Sequence, residues 1–294
     1  MILRSSHKIF FSHLLGAMML ACFNLANAAD LPLEAVVPGG IAIIKLDRAG
    51  DVTPHVTYNS KPVMVIKHEN AWHALVGISL SAKAGKHSII SKIDSSNSTY
   101  DFSVAEKHYE TQHITIKDKR KVSPNAEDLK RIKRERKKIN AALAHWDETF
   151  YAKSIQLDLP AQGPLSSPFG LRRFFNKQPR KPHSGIDIAA PIGTPITAPA
   201  NGKVILTGDF FFNGNSVFLD HGQGLITMYC HMDAIDVKEG EIINRGEKLG
   251  TIGMTGRVTG PHLHWSVSMN NARIDPNLVV PVLQQKDPQT TTCM

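Results

Sequence analysis

Five histidines and one aspartate in the second half of the chain have spacings that could do chemistry. His183 and Asp187 stand four apart in His183-Ser184-Gly185-Ile186-Asp187. Imidazole and carboxylate are both zinc ligands, and a catalytic zinc site has three protein ligands and one water. Gly185 and Ile186 suit a turn leading into a strand, which would bring both side chains to one point. In His262-Leu263-His264 the two histidines are two apart. Alternate residues of a strand share a face, so both imidazoles would sit side by side over one spot. Tyr229-Cys230-His231 alternates as well, with Tyr229 and His231 expected on one face and Cys230 on the other. Cys230 reads either as a nucleophile or as a small buried hydrophobe, and the second reading is preferred. His221 is the remaining histidine of this half. The constellation is a metal held by His183, Asp187 and a third histidine, with two spare histidines nearby. Zinc lowers the pKa of bound water to about 7. One histidine could move its proton and another could donate to a developing oxyanion. Spacing leaves open which of His262 and His264 binds the metal. The chain has no His-Glu-x-x-His helix and no Gly-x-Ser-x-Gly elbow, so the commoner zincin and serine-hydrolase readings lack support.

The elements that must position these residues are strands. Gly185–Ala189, Gly202–Thr207, Ser216–Asp220, Leu225–His231, Lys248–Ile252 and His262–Met269 are alternating or β-rich, with Gly- and Pro-rich turns between them. They predict an all-β domain over residues 151–281, followed by a polar, disordered tail at 282–294. Residues 29–116 read as a separate β domain of seven short strands, sandwich-like, ending in His113–Ile116. Its six histidines (His55, His68, His73, His87, His108 and His113) lack ligand spacing and read as surface residues. Between the two lies a linker, residues 117–150, with a helix predicted over 124–146. Ser123 is its expected cap, and Leu129, Ile132, Ile139, Leu143 and Trp146 form its apolar stripe.

The composition is that of an ordinary globular protein: 294 residues, 42% hydrophobic and 20% charged, which excludes collagen-like and wholly disordered chains. The net charge of +8 suggests an anionic partner. Residues 1–28 carry Arg4, Lys8, an apolar run and a small-x-small end, Ala26-Asn27-Ala28, the pattern of a signal peptide. Export to the periplasm is therefore expected, with lipidation at Cys22 or full secretion as alternatives, and no transmembrane segment in the mature chain. Eleven Lys and Arg against four acids between Lys117 and Lys138 concentrate the basicity in the linker. Nucleic-acid binding through this stretch is the sharper reading, but an exported chain without a recognition motif favours a solvated helix.

The motifs resemble one family. His183-Ser184-Gly185-Ile186-Asp187, Gly193-Thr194-Pro195, Tyr229-Cys230-His231, Gly256 and Gly260-Pro261-His262-Leu263-His264-Trp265 look like the lysostaphin-type (LytM-like) peptidoglycan endopeptidases over about residues 165–277. Ser167-Pro168-Phe169-Gly170-Leu171-Arg172 resembles the domain start of Gram-negative members. The resemblance implies a mainly β protein whose C-terminal antiparallel sheet forms the LytM-type groove, a duplicated hybrid motif, with Zn²⁺ at its floor. It implies His183, Asp187 and His264 as zinc ligands and His231 and His262 as the catalytic pair. The substrate it implies is the peptide stems of peptidoglycan, cut between D-alanine and meso-diaminopimelate. Residues 30–145 look more loosely like the N-terminal domain and connecting helix of these enzymes, which in some relatives cover the groove. A non-catalytic wall-binding protein or amidase activator would need a degraded ligand set, and all five positions are filled. The basic stretch Arg172, Arg173, Lys177, Arg180 and Lys181 is expected to border the groove and hold substrate carboxylates or the N-terminal domain.

Overall fold

The computed structural model describes residues 31–47, 50–93 and 96–284. The expected signal peptide, Cys22 and Cys293 lie outside them. Strands β1 (Ile41–Lys45), β2 (His55–Tyr58), β3 (Lys61–His68), β4 (Ala71–Gly77), β5 (Gly85–Ile93) and β6 (Ser96–Val104) form one antiparallel sheet in the order β1-β4-β3-β2-β5-β6. Alternation along β3 and β4 sorts its side chains. Val63, Val65, Ala74 and Val76 join Val56, Ile89 and Val104 in a core of its own. Met64, Ile66 and Leu75, on the other face, enter the core of the C-terminal half together with Ile41. One curled, barrel-like sheet thus supplies both layers of this half. His73 departs from the surface reading, because it is buried in β4.

The expected seventh strand does not join this sheet. β7 (Thr111–Ile114) instead runs parallel to a strand of the C-terminal half, β9 (Arg172–Phe175), with Thr111 opposite Arg172. The linker helix α1 spans Ala126–Leu143. Its cap is Asn125 rather than Ser123. Asn125 accepts from the Asp128 N–H, and Asp128 accepts from the Asn125 N–H in return, a reciprocal capping box. Ile132 and Leu143 are buried as predicted, whereas Leu129 is 56% exposed. Three of the eleven basic residues are paired with acids, Arg131 with Glu135 and Asp209, Arg120 with Asp128, and Lys130 with Glu127. No helix among the described residues is long and apolar enough to cross a membrane.

The C-terminal half adds β8 (Leu165–Ser167), β9, β10 (Gln178–Pro179), β11 (Ile186–Ala189), β12 (Pro195–Thr197), β13 (Gly202–Phe210), β14 (Gly214–Asp220), β15 (Ile226–Ile235), β16 (Ile242–Ile243), β17 (Lys248–Ile252), β18 (His262–Met269) and β19 (Ala272–Ile274). Ten of the strands build one sheet along the path β16-β13-β14-β15-β18-β11-β8. One face of β18, Leu263, Trp265, Val267 and Met269, is buried in the main core. On the other face of the sheet, Phe218, Ile226, Met228 and Cys230 pack against Ala142 and Leu143 of α1. The linker helix therefore has a docked side, not a wholly solvated one. The first residues of the expected tail are also ordered: Pro281–Gln284 form α2, and Leu283 is buried.

The two halves share polar contacts as well as core. Asn270 accepts from the Gly77 N–H (2.7 Å) and donates to the Gly77 carbonyl (2.9 Å). Gln223 accepts from the Val65 N–H, and the Tyr109 hydroxyl donates to the Pro38 carbonyl.

Candidate active site

β11 and β18 are antiparallel neighbours with Asp187 opposite His264. Just before β11, a Cβ on Gly185 would lie 2.2 Å from the Trp265 carbonyl oxygen. Only glycine lets the chain press this closely on β18, and His183 is two residues away. His183 Nε2, Asp187 Oδ1 and His264 Nδ1 converge: the three pairwise distances are 2.9, 2.9 and 2.8 Å. His183 Nδ1–H donates to the Pro168 carbonyl (2.7 Å), which leaves a lone pair on Nε2. His264 Nε2–H donates to Ser266 Oγ (3.0 Å), which leaves one on Nδ1. Both protons are thus anchored outward, and two imidazole lone pairs face a carboxylate. Such an arrangement is repulsive until a cation shares it. Two nitrogens and one oxygen, held by outer hydrogen bonds, fit a divalent transition-metal ion.

The second Asp187 oxygen accepts from Arg173 Nη2 (2.9 Å), which also donates to Ser167 Oγ (3.0 Å). Arg173 Nε donates to Gln112 Oε1 (3.1 Å), so β7 steadies the arginine that steadies Asp187. Burial pushes the His264 imidazole down to about 4.

Strict alternation along β15 fails where it matters. Tyr229 lies in the Trp265 core and Cys230 on the opposite side, as expected. Alternation would return His231 to the Tyr229 side, away from His264. The β14–β15 register instead passes from Val217 opposite Tyr229 to Asn215 opposite Met232. Two residues, Cys230 and His231, therefore face the single Ser216, which is a β-bulge. His231 adopts a left-handed backbone (φ 65°) within it. Its N–H donates to the Asn213 carbonyl and its Nδ1–H to the Thr255 carbonyl, each about 2.8–2.9 Å. The ring thereby stands 4.9 Å from that of His262 and 6.1 Å from that of His264, centroid to centroid. His262 Nδ1–H donates to the Gly260 carbonyl (2.9 Å), and its Nε2 lies 3.9 Å from Asp187 Oδ1. Burial, then repulsion from the His262 and His264 imidazoles, holds His231 well below its ordinary value. It is therefore a neutral base at pH 7.

The structure thus gathers His183, Asp187, His231, His262 and His264, and leaves His221 out. His221 is wholly buried; its Nδ1–H donates to the Asn201 carbonyl, and its Nε2 accepts from Thr227. The basic stretch was expected to hold substrate carboxylates or the N-terminal domain, and Arg173 does hold Gln112 of the N-terminal half. Its hold on Asp187 was not foreseen. Arg180 of the same stretch donates to the Val122 carbonyl of the linker. A second group with ligand atoms within 4.8 Å of one another, His145, Asp147 and Asp220, lies after α1. There the Asp147 carboxylate already accepts from the Thr149 N–H and the Tyr151 hydroxyl.

Cys230 is buried and its thiol is pushed up to about 12 by burial, so it is neutral at pH 7 and no nucleophile. Cys230→Ala should leave hydrolysis within about twofold and lower stability by roughly 1 kcal/mol, the loss of one small buried group. Collapse of activity in a folded Cys230→Ala protein would restore the nucleophile reading.

The chain is similar to known proteins. The profile described as Peptidase family M23 matches residues 181–276, and that of the Peptidase family M23 N-terminal domain matches residues 34–107. A crystal structure of an M23 peptidase from Pseudomonas aeruginosa is 45% identical. It covers 84% of this chain, the match spans 96% of that chain, and the TM-score is 0.72. The peptidoglycan DD-endopeptidase ShyA of Vibrio cholerae is 39% identical over 140 residues, 45% of this chain and 32% of that protein. The DD-carboxypeptidase/endopeptidase Mpg of Neisseria meningitidis is 40% identical over 126 residues, 42% of this chain and 29% of that protein. The chain spans about a third of the length of these two curated relatives. The match to the Pseudomonas structure takes in most of both chains at 45% identity, and the chain belongs to peptidase family M23.

Proposed function

We propose that this chain is a zinc-dependent D,D-endopeptidase that hydrolyses the D-alanine–meso-diaminopimelate cross-links of peptidoglycan. One observation carries the reading: three metal-binding atoms converge beside a second pair of histidines whose Nδ1 protons are both tied to backbone carbonyls. His183, Asp187 and His264 are the residues that would hold zinc. Zinc supplies Lewis acidity, polarising a carbonyl oxygen and making water acidic enough to ionise near neutral pH. The rest is the work of side chains. With Nδ1–H anchored, His231 and His262 each offer Nε2 as the atom that accepts or returns a proton. A neutral His231 can take a proton from the attacking water, and the pair can steady the tetrahedral intermediate and return the proton to the leaving amine. The names of the relatives ShyA and Mpg support the D,D specificity. The leader-like residues 1–28 support export to the periplasm, and the mass of the mature protein would show whether the chain is cut after Ala28.

Two elements before the C-terminal half approach the site face: α1 of the linker, and β7 through Gln112. We infer that any masking of the groove comes from residues 111–143, with the six-stranded sheet acting as their support. Digestion of purified cross-linked muropeptides, with mass analysis of the products, tests the function. Release of monomers with a new D-alanine carboxyl end is expected, and chelation should stop it; intact dimers would refute the reading.

Arg173→Met should lower metal affinity about 10- to 100-fold, the range for an outer-shell partner of a ligand. Competition with a chromogenic chelator measures this directly. An unchanged affinity would mean that Arg173 does not hold Asp187 for the metal.

A further inference from the structure

The loop that leads into β18 carries a cation that the chemistry above does not use. Arg257 follows Thr255 and Gly256, and its N–H donates to the Phe212 carbonyl. Its guanidinium carbon lies 4.3 Å from the centroid of the Phe212 ring and 4.6 Å from that of Phe175. Among the described residues no carboxylate pairs with it and no acceptor takes its side-chain protons. Burial, then the charges of Arg180 and Arg173, lowers it to about 10, which leaves it charged at neutral pH. Of these three neighbouring arginines only Arg173 has a carboxylate, Asp187.

The position is specific. Thr255, two residues before Arg257, supplies the carbonyl that holds His231 Nδ1–H. Asn213, next to Phe212, supplies the carbonyl that holds the His231 N–H. The two loops touch through glycines: a Cβ on Gly256 would lie 2.5 Å from the Gly214 nitrogen. Arg257 is therefore bracketed by both anchors of His231. Two aromatic rings lie against its guanidinium, and a guanidinium carries all its N–H donors in its own plane. That edge is a fork that matches a carboxylate in two-point fashion.

We propose that Arg257 is the specificity residue that binds a free carboxylate of the substrate, the one α to the amine that leaves. This rests on the D,D-endopeptidase reading. In a D,D cross-link the leaving nitrogen is attached to a carbon bearing a free carboxylate, whereas a bond inside a glycine bridge offers none. The proton returned to that nitrogen comes from the histidine pair that Arg257 flanks. The same fork serves endopeptidase and carboxypeptidase substrates, because both carry that carboxylate.

The test compares one cross-linked peptide dimer with its analogue in which only this carboxylate is amidated, using the zinc-loaded full chain. Hydrolysis gives kcat and KM, and calorimetry gives Kd for the two peptides. The free acid should be preferred about 10- to 100-fold, the range of charged hydrogen bonds, with most of the difference in KM. Arg257→Met keeps a long side chain beside Phe175 and Phe212 and should bring the preference close to one. Arg257→Lys should retain part of it. Equal binding of acid and amide by the unaltered chain, or a preference that survives in Arg257→Met, would overturn the assignment. Binding that distinguishes the two peptides without hydrolysis of either would overturn the endopeptidase reading and uphold Arg257.

Discussion

His264→Ala is expected to remove both the bound metal and the activity. His264 supplies one of three converging atoms, and Asp187 and His183 alone leave two ligands where a catalytic zinc site uses three. The fall in hydrolysis should exceed about 100-fold, beyond the range of outer-shell substitutions. Metal content by elemental analysis and monomer release from muropeptides should fall together. Thermal unfolding provides a second reading. A ligand present at about 1,000 times its Kd stabilises the fold that binds it by about 4 kcal/mol. Chelation should therefore lower the Tm of the unaltered protein and leave that of His264→Ala in place. A His264→Ala protein that kept stoichiometric zinc and full hydrolysis would break the ligand set.

His231→Ala and His262→Ala should behave differently. Neither residue belongs to the converging trio, so both proteins should retain the metal. Their kcat should fall about 10²- to 10⁴-fold, the usual contribution of positioned proton transfer. The double variant should be little worse than the poorer single one, because groups that act as a unit are not additive. Metal content measured beside kcat separates this pair from the ligands. Loss of zinc in His231→Ala would move that residue into the metal shell. Substitution at 231 also touches the bulge, and circular dichroism of each variant would report whether the sheet is intact.

Much of this site was legible because it obeys short-range rules. His262 and His264 share a face because strands alternate, and Gly185 precedes β11 because the chain must press on β18 there. Six of the twelve strands of the C-terminal half, β11, β13, β14, β15, β17 and β18, stand where alternation and turn residues suggest; the short β8, β9, β10, β12, β16 and β19 were not foreseen. What escaped was non-local or irregular. The bulge at Cys230 and His231 has no marker in its own residues; its cause is one fewer residue on the facing strand, which no reading of β15 alone can reveal. The parallel pairing of β7 with β9 joins residues about sixty apart, so Gln112 could not be tied to Arg173. The helix cap fell on Asn125 because Asp128 completes a reciprocal pair with it, a stronger arrangement than Ser123 could make. Leu129 follows the helical spacing yet stays exposed, because the docked stripe is set by where the sheet meets α1.

The β7–β9 pairing also says something about portability. The family profile for the peptidase begins at residue 181, after β9 and after Arg173. A fragment cut at that point would carry every metal-binding atom and none of the brace behind Asp187. Even a fragment beginning at residue 150 would leave β9 without its parallel neighbour and Arg173 without Gln112. The smallest piece of this chain that can be moved to another protein with its metal affinity intact therefore includes Thr111–Ile114. Gene fusions or domain shuffling that respect only the matched region would inherit the ligands while losing the part that keeps one of them still.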